Sequence, residues 1–556
     1  LRIPQVTLWQ LLATAAERYG GQPGYRFLGQ TWTWRRVHDE ALAVAGWLHR
    51  RGVRRGDRVA VFMQNCPQFV IACQATFRAD AVVVPVNPMN RAEELAHLLA
   101  DSGAAVLVCS GEVLPVVLAA QAPLPEAQRL RAVLVARLAD TLPEGTAVDP
   151  AEAPSAAVLA ALASAPLRES WPTAAEPWSA ALAGEPIAEP HRARPEDMAL
   201  LPYTSGTTGH PKGCIHTHAS LMPNVVGGAQ WSHVTAESVG LGVVPMFHIT
   251  GMVYSVLAPA WTGHTVVLMP RWDRELAARL IARHRISHWV CIPTMVIDLL
   301  GSPNAAGFDL GSLRFLSGGG AAMPQAVAER LHAQYGLVFS EGYGLTETAA
   351  PSHGNPPERA KLQCLGMPIF GVDSRVVDPA TFEEMPIGET GEIVTAGPML
   401  FHGYWQHPEA TAAAFVEIEG RRWFRTGDLG RVDEDGYFFI VDRLKRMINA
   451  SGFKVWPSEV ELLLFKCPGV QEACVIAAHD AYRGETVKAC IVLRDEARGR
   501  TTADDIVAWA REHMAAYKVP RIVEFVDALP KSGSGKVMWR LLQEQERQRA
   551  SGQGGA

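Results

Sequence analysis

The hydrophobic positions of the first hundred residues alternate between two periods. Leu8–Tyr19 has the 3.6-residue spacing of an amphipathic helix, whereas Thr31-Trp32-Thr33-Trp34 alternates like a strand. A helical pattern over 37–51 ends before the turn Gly56-Asp57, and an apolar run then predicts a strand over 58–63. Strands are expected again at 81–86 and 105–108, with a helix over 93–101 between them. Strand and helix in strict alternation imply a mainly parallel sheet covered on both faces, the α/β class.

From 119 to 194 the chain turns Ala/Pro/Glu-rich and loses its periodicity. This stretch is read as a peripheral elaboration without a catalytic role, with one short strand at Val133-Leu134-Val135. A second alternating block runs from 198 to 396, with strands expected at 289–292, 315–317 and 336–339. Within it, residues 238–270 contain no Lys, Arg, Asp or Glu, a length that would span a bilayer. Pro245, Pro259 and several glycines divide that run into strand, helix and strand, so it is read as a buried strip carrying a binding wall. Short strands and turns follow Gly397. A separate α+β block opens at Arg443, with helices at 458–466 and 504–514 and strands at 473–477 and 487–492. The expected division is 1–442, 443–548 and a disordered tail over 549–556.

Composition narrows the function. Hydrophobic residues make up 48% of the 556 and charged residues 19%, which describes a globular chain with room for several domains. A net charge of −6 gives no footprint for nucleic acid. The nine cysteines show neither CxxC pairs nor metal-ligand spacing, which suits a reducing cytoplasm better than a disulfide framework. The first residues do not read as a signal peptide. Peripheral membrane contact and a homodimer are left open.

The candidate chemistry begins at 203–213, after the short apolar run Met198-Ala199-Leu200-Leu201. Thr204, Ser205, Gly206, Thr207, Thr208 and Gly209 precede Lys212. Glycines expose backbone N–H groups, hydroxyls add donors and the lysine adds charge, which together make a polyphosphate cradle. A flexible linker is the alternative. Pro211 stands where a Walker A loop requires Gly-Lys-Ser/Thr, so it is not that motif.

Four other stretches point the same way. In Glu341-Gly342-Tyr343-Gly344-Leu345-Thr346-Glu347, the glycines would let Tyr343 stand against a flat ring, and Glu347 beside a phosphate loop suits Mg²⁺. Gly318, Gly319 and Gly320 end a strand where a ligand ring can approach the backbone, although a tight turn reads equally well. Asp428, in Arg425-Thr426-Gly427-Asp428, has the chemistry to accept from both ribose hydroxyls, although a Gly-Asp turn is usually structural. Lys536, in the glycine–serine loop 530–536, is a long cation on a flexible segment, the kind that meets developing negative charge.

Together and in this order, these motifs resemble the acyl-adenylate-forming (AMP-binding) superfamily: acyl-CoA synthetases, firefly-type luciferases and the adenylation domains of peptide synthetases. The resemblance runs from the first helix to Lys536 and is strongest to bacterial fatty-acid–CoA ligases over 425–460 and 517–540. It implies a large N-terminal domain of stacked sheets flanked by helices, a β-rich subdomain, and a small mobile α+β C-terminal domain. It implies ATP and CoA as co-substrates with Mg²⁺, the metal held by Glu347 and Thr207. Residues 204–212 would hold the β- and γ-phosphates. Glu341, Gly342, Tyr343 and Gly344 would form the adenine site with Gly318–Gly320, Thr346 would touch the phosphates, and Asp428 and Arg443 would grip the ribose.

By the same resemblance Lys536 acts in adenylation, Lys445 is the hinge, and Ser451 and Gly452 admit the pantetheine arm. Arg271 would contact the CoA nucleotide, an ordinary surface arginine being nearly as good a reading. His248, Gly251, Met252 and Tyr254 would line the acyl pocket, His248 at its carboxylate end. No buried acid or cation stands in 249–255, which disfavours an amino acid substrate. The expected reaction is carboxylate + ATP + CoA to acyl-CoA + AMP + pyrophosphate, on a medium- or long-chain fatty acid. An aromatic or alicyclic acid is the alternative. The further rivals are a carrier-protein ligase, a luciferase-like oxygenase and a non-catalytic homologue.

Overall fold

Near-continuous Val runs have no polar face to offer water, so they become strands buried on both sides. The computed structural model of the chain describes residues 1–142, 148–164, 171, 174–204, 211–450, 453–480, 484–531 and 537–552. It divides into two units, 1–373 with 395–424, and 374–394 with 425–556.

The first unit contains two large sheets. One has seven strands in the order His216–Thr217, Met198–Leu200, Val82–Val86, Arg58–Phe62, Val106–Ser110, Ala132–Ala136, Ala175–Pro177. Ala132–Ala136 is buried along its whole length and pairs in parallel with Val106–Ser110, and Trp178 behind it is 2% exposed. The strand expected at 133–135 forms, and the stretch read as peripheral therefore supplies part of the core. The other sheet has nine strands, in the order Met367–Pro368, Ala350–Gly354, Phe339–Leu345, Phe315–Gly318, His288–Cys291, Val239–Gly242, Thr265–Leu268, Pro23–Phe27, Gln30–Thr33.

Alternation of side chains gives the layers. Val59 and Val61 join a core shared by both sheets with the helices Leu8–Tyr19, Trp34–Arg50, Pro67–Arg78 and His218–Trp231. Ala60 and Phe62 face the opposite way, against Ala92–Ser102 and Leu114–Gln121. Helices Arg274–His284, Pro293–Leu300 and Gln325–Tyr335 cover the outer face of the nine-stranded sheet. Two sheets thus enclose one helical layer and carry another on each outer face. The uncharged run 238–270 divides as expected into strand Val239–Gly242, a helical stretch from Ile249 to Thr262, and strand Thr265–Leu268. Among the described residues no helix is long and apolar enough to cross a membrane.

Two boundaries differ from the sequence pattern for local reasons. The Thr33 hydroxyl accepts from Arg36 N–H and caps a helix that begins at Trp34, ending the strand one residue early. Gly336 sits at φ 69° and terminates Gln325–Tyr335, so the next strand starts at Phe339, not Gly336.

In the second unit, residues 425–432 pair antiparallel with Phe438–Arg443. A further sheet has the order Phe453–Val455, Ile448–Ala450, Gly484–Leu493, Val470–Asp480, with Ile522–Phe525 parallel to Gly484–Leu493. Helices Pro457–Leu464 and Ala503–His513 pack on one face and Trp539–Gly552 begins on the other. That last helix runs past 549, where a tail was expected; Arg549 is tied to Glu524 at 3.0 Å.

Candidate active site

The strands Tyr203–Thr204 and Lys212–Gly213 form an antiparallel hairpin, with Lys212 opposite Thr204. Ser205, Gly206, Thr207, Thr208 and Gly209 lie outside the described residues, as do Ser451, Gly452, Lys536 and the side chain of Lys445. The Lys212 ammonium stands 5.3 Å from the centre of the Tyr404 ring. The Tyr404 hydroxyl donates to Glu347 Oε1 at 2.8 Å. One tyrosine therefore links the hairpin lysine to the proposed metal ligand. It is 57 residues from Glu347 in sequence, and no local pattern marks it.

Glu347 sits in a tight turn, Thr346–Thr348, at the end of the Phe339–Leu345 strand. Backbone strain follows at once, with Ala349 at φ 54° and Ala350 at φ 79°. Non-glycine residues hold such angles only when their surroundings impose them. Here Asn224, buried on the His218–Trp231 helix, donates from Nδ2 to Thr348 O at 2.8 Å and to Ala349 O at 2.6 Å. The fully buried His216 bonds Thr346 O through Nε2 at 2.8 Å. Burial pushes its imidazole down to about 4, so the ring is neutral and Nε2 carries the donated proton. Phe401 N–H closes the turn on Glu347 O at 2.8 Å.

Neighbouring residues are fixed by the protein itself. Glu341 is 5% exposed and accepts from Gln363 N–H at 2.7 Å and Met323 N–H at 3.3 Å. Burial raises its carboxyl to about 7. Both oxygens are thus engaged by backbone, which makes Glu341 a brace for the strand. Tyr343 is 9% exposed, with its ring 5.6 Å from that of His353. A Cβ at Gly318, Gly319 or Gly344 would collide with the carbonyls of Cys291, Gly342 or Ala350, so the first demand on these glycines is close packing of the chain on itself. Gly342 is half-buried, and Gly320, at φ 83°, is exposed.

The acyl-wall residues separate. His248 is exposed, caps the helix at Ile249, and accepts from Thr250 N–H through Nδ1 at 3.3 Å. The loop before it is held by buried Asn65, which accepts from Met246 N–H at 2.8 Å and donates to Val244 O at 3.1 Å. A Cβ at Gly251 would strike the Pro245 carbonyl, so its missing side chain makes room for backbone and not for a tunnel. Met252 is fully buried in the central core. Tyr254 alone of the four lines a cavity of about 40 Å³, bounded also by Gly228, Leu241, His264 and Phe315. Arg271 is exposed.

In the second unit Asp428 and Arg443 stand opposite each other across two strands, with Arg443 Nε 2.9 Å from Asp428 Oδ1. Asp428 is 1% exposed and Arg443 is exposed, a buried carboxylate with a charged partner at the surface. Asp442, which no motif singles out, accepts from Ser458 N–H at 2.7 Å, at the start of the Pro457–Leu464 helix. Among the described residues there is no cluster of three or more His, Cys, Asp or Glu able to hold a metal.

Comparison with known proteins identifies the family. Residues 12–405 match the family described as AMP-binding enzyme, and residues 459–536 match the AMP-binding enzyme C-terminal domain. A long-chain-fatty-acid–CoA ligase of Bacillus subtilis (strain 168) is 32% identical over 549 residues, covering 98% of this chain and 96% of the relative. A feruloyl-CoA synthase of Amycolatopsis sp. is 35% identical over 513 residues, covering 92% and 93%. The crystal structure of ATP-bound MatB from Rhodopseudomonas palustris superposes with a TM-score of 0.81 at 27% identity, covering 97% of this chain and 99% of that one. The chain belongs to the AMP-binding enzyme family and is an AMP-forming acid–CoA ligase that works through an acyl-adenylate.

Proposed function

We propose that the protein makes CoA thioesters of compact carboxylic acids, aromatic or of medium chain length, more readily than of long-chain fatty acids. The short cavity at Tyr254 carries this reading. Its lining on the Val239–Gly242 strand and just beyond runs from Gly240 to Val244, about 13 Å at 3.3 Å per residue, with Phe315 and His264 also in the lining. The carboxyl ends of these strands lead to Gly318–Gly320 and to His248, the end where open α/β sheets bind ligands. A long-chain acid is the second reading, favoured by the identity to the Bacillus subtilis ligase.

The carboxylate attacks the α-phosphorus of ATP, forming the acyl-AMP anhydride and expelling pyrophosphate. The CoA thiol then attacks the acyl carbon and AMP leaves. Lys212 and the 204–209 loop hold the part of ATP that departs, and Lys536 meets charge developing at the α-phosphate. Asp428 and Arg443 bind the ribose, Tyr343 packs beside the adenine, and Gly452, Ser451 and Arg271 serve CoA. Lys445 is the hinge between the two half-reactions, with the division at 442/443. Glu347 fits Mg²⁺, which accepts a single protein carboxylate beside substrate phosphates and needs no larger cage. Thr207 is its proposed partner, and the ion would neutralise phosphate charge. The scattered cysteines support a cytoplasmic setting.

A panel of acids from acetate to palmitate, with benzoate and cyclohexanecarboxylate, assayed for pyrophosphate release, tests the size limit. Release peaking at benzoate or at medium chain length is expected. A maximum at palmitate would overturn the compact reading in favour of the long-chain one.

A further inference from the structure

Most of the cavity at Tyr254 is apolar, yet five side chains bring oxygen or nitrogen to its lining. Four of them, Tyr254, Ser232, Ser255 and His264, have a polar atom with no partner among the described residues. The Tyr254 hydroxyl lies 3.5 Å from where a Cβ on Gly228 would stand, and His264 Nε2 lies 3.4 Å from the equivalent point on Gly240. Two missing side chains, one on a helix and one on a strand, thus leave these polar atoms facing open space.

The hydrogen bonds behind His264 assign its proton. The Thr262 hydroxyl donates to Ala258 O at 3.0 Å and so must accept from His264 Nδ1 at 2.6 Å. Nε2 is then a bare acceptor, on a ring only 5% exposed. Burial pushes the imidazole down to about 3, which keeps that acceptor available at neutral pH. His288, the fifth polar neighbour, is already engaged, with Nε2 on Ser232 O at 3.0 Å and Nδ1 on Ser287 Oγ at 2.8 Å. No Lys or Arg lines the cavity, so a carboxylate entering it would be buried without a counter-charge. A neutral group that both donates and accepts would satisfy what the protein leaves open.

We propose that the cavity recognises a hydroxyl at the distal end of the acyl group, donating to His264 Nε2 and accepting from the Tyr254, Ser232 or Ser255 hydroxyl. The substrate class is then a hydroxylated aromatic acid or an ω-hydroxy acid of similar length. This rests on the compact-acid reading and adds the chemistry of the tip.

The test is kcat/KM for pyrophosphate release with matched acids: para-hydroxyphenylacetate against phenylacetate, para-hydroxycinnamate against cinnamate, and ω-hydroxyoctanoate against octanoate, with suberate as the charged tip. In the wild type at least one pair should favour its hydroxylated member by about tenfold or more, because the unsubstituted acid leaves buried polar atoms unpaired. Tyr254→Phe, Ser232→Ala and Ser255→Ala each remove one oxygen with little change of shape, and at least one should bring that ratio close to one. Equal rates within every pair would overturn the proposal and point to a cavity filled by water. A ratio untouched by all three variants, or a preference for suberate, would overturn it as well. Release with palmitate but with none of the compact acids would remove the size reading beneath it, a result distinct from equal rates within active pairs.

Discussion

The Glu347 turn and the cavity at Tyr254 each bring polar atoms together in the first unit, but those atoms are used differently. In the turn, the carbonyls of Thr346, Glu347, Thr348 and Ala349 are held by His216, Phe401 and Asn224. A Glu347 carboxylate oxygen is held by Tyr404. In the cavity, Tyr254, Ser232 and His264 keep hydrogen-bonding capacity that no described residue takes up. Prepaid hydrogen bonds fix a geometry for one reaction, whereas open ones leave a choice of ligand. Under the proposed function, the difference separates a part of the site for ATP from a part that selects the acid.

The sharpest way to break that separation is to remove charge from the ATP side. Lys536→Ala should lower acid-dependent pyrophosphate release by about 10²-fold or more while largely sparing thioester formation from supplied acyl-AMP. Equal loss of both half-reactions would remove the role assigned to Lys536.

Acid should strike both regions alike, because each buries a neutral imidazole. The folded values of His216 and His264 are pushed down to about 4 and about 3. Unfolded histidine titrates near ~6.5, so the stability from each is complete above that pH and is lost as pH falls toward the folded value. For His216 the loss is on the order of 3 kcal/mol. Melting temperature should therefore drop steadily from about pH 6.5 to about pH 4; a flat profile over that window would contradict the buried neutral state.

Asn224→Ala removes both donors from the strained turn and leaves two carbonyls unpaired. A loss of about 1–3 kcal/mol is expected by denaturant titration, with weaker adenylation, since the strain is then unsupported. Unchanged stability would mean that the turn holds itself. Tyr404→Phe is the smallest change, costing about one hydrogen bond, or about tenfold in adenylation rate. Its acid preference should match the wild type, and a shift in preference would show that the two regions are not separate.

Much of this was legible in the chain because it is written in local patterns. The Val runs, the helix at Leu8–Tyr19, and the glycine-bracketed motifs around Lys212, Tyr343 and Asp428 all lie within a dozen residues of themselves. What escaped joins distant segments. Tyr404 reaches Glu347 across 57 residues, and Asn224 reaches Thr348 across 124. The strand at 133–135 was expected, but its place in the core was not marked by its Ala-rich surroundings, and the role of Gly251 depended on where the Pro245 carbonyl falls. Glu341 lies inside a recognised motif, yet its carboxylate braces backbone at Met323 and Gln363.

The most direct test of the central claim is isotopic. With a substrate acid labelled by ¹⁸O in its carboxylate, ATP and CoA, attack on the α-phosphorus must leave one labelled oxygen in the AMP released. Labelled AMP with pyrophosphate is the predicted result. Unlabelled AMP, or ADP with phosphate as products, would contradict an acyl-adenylate route.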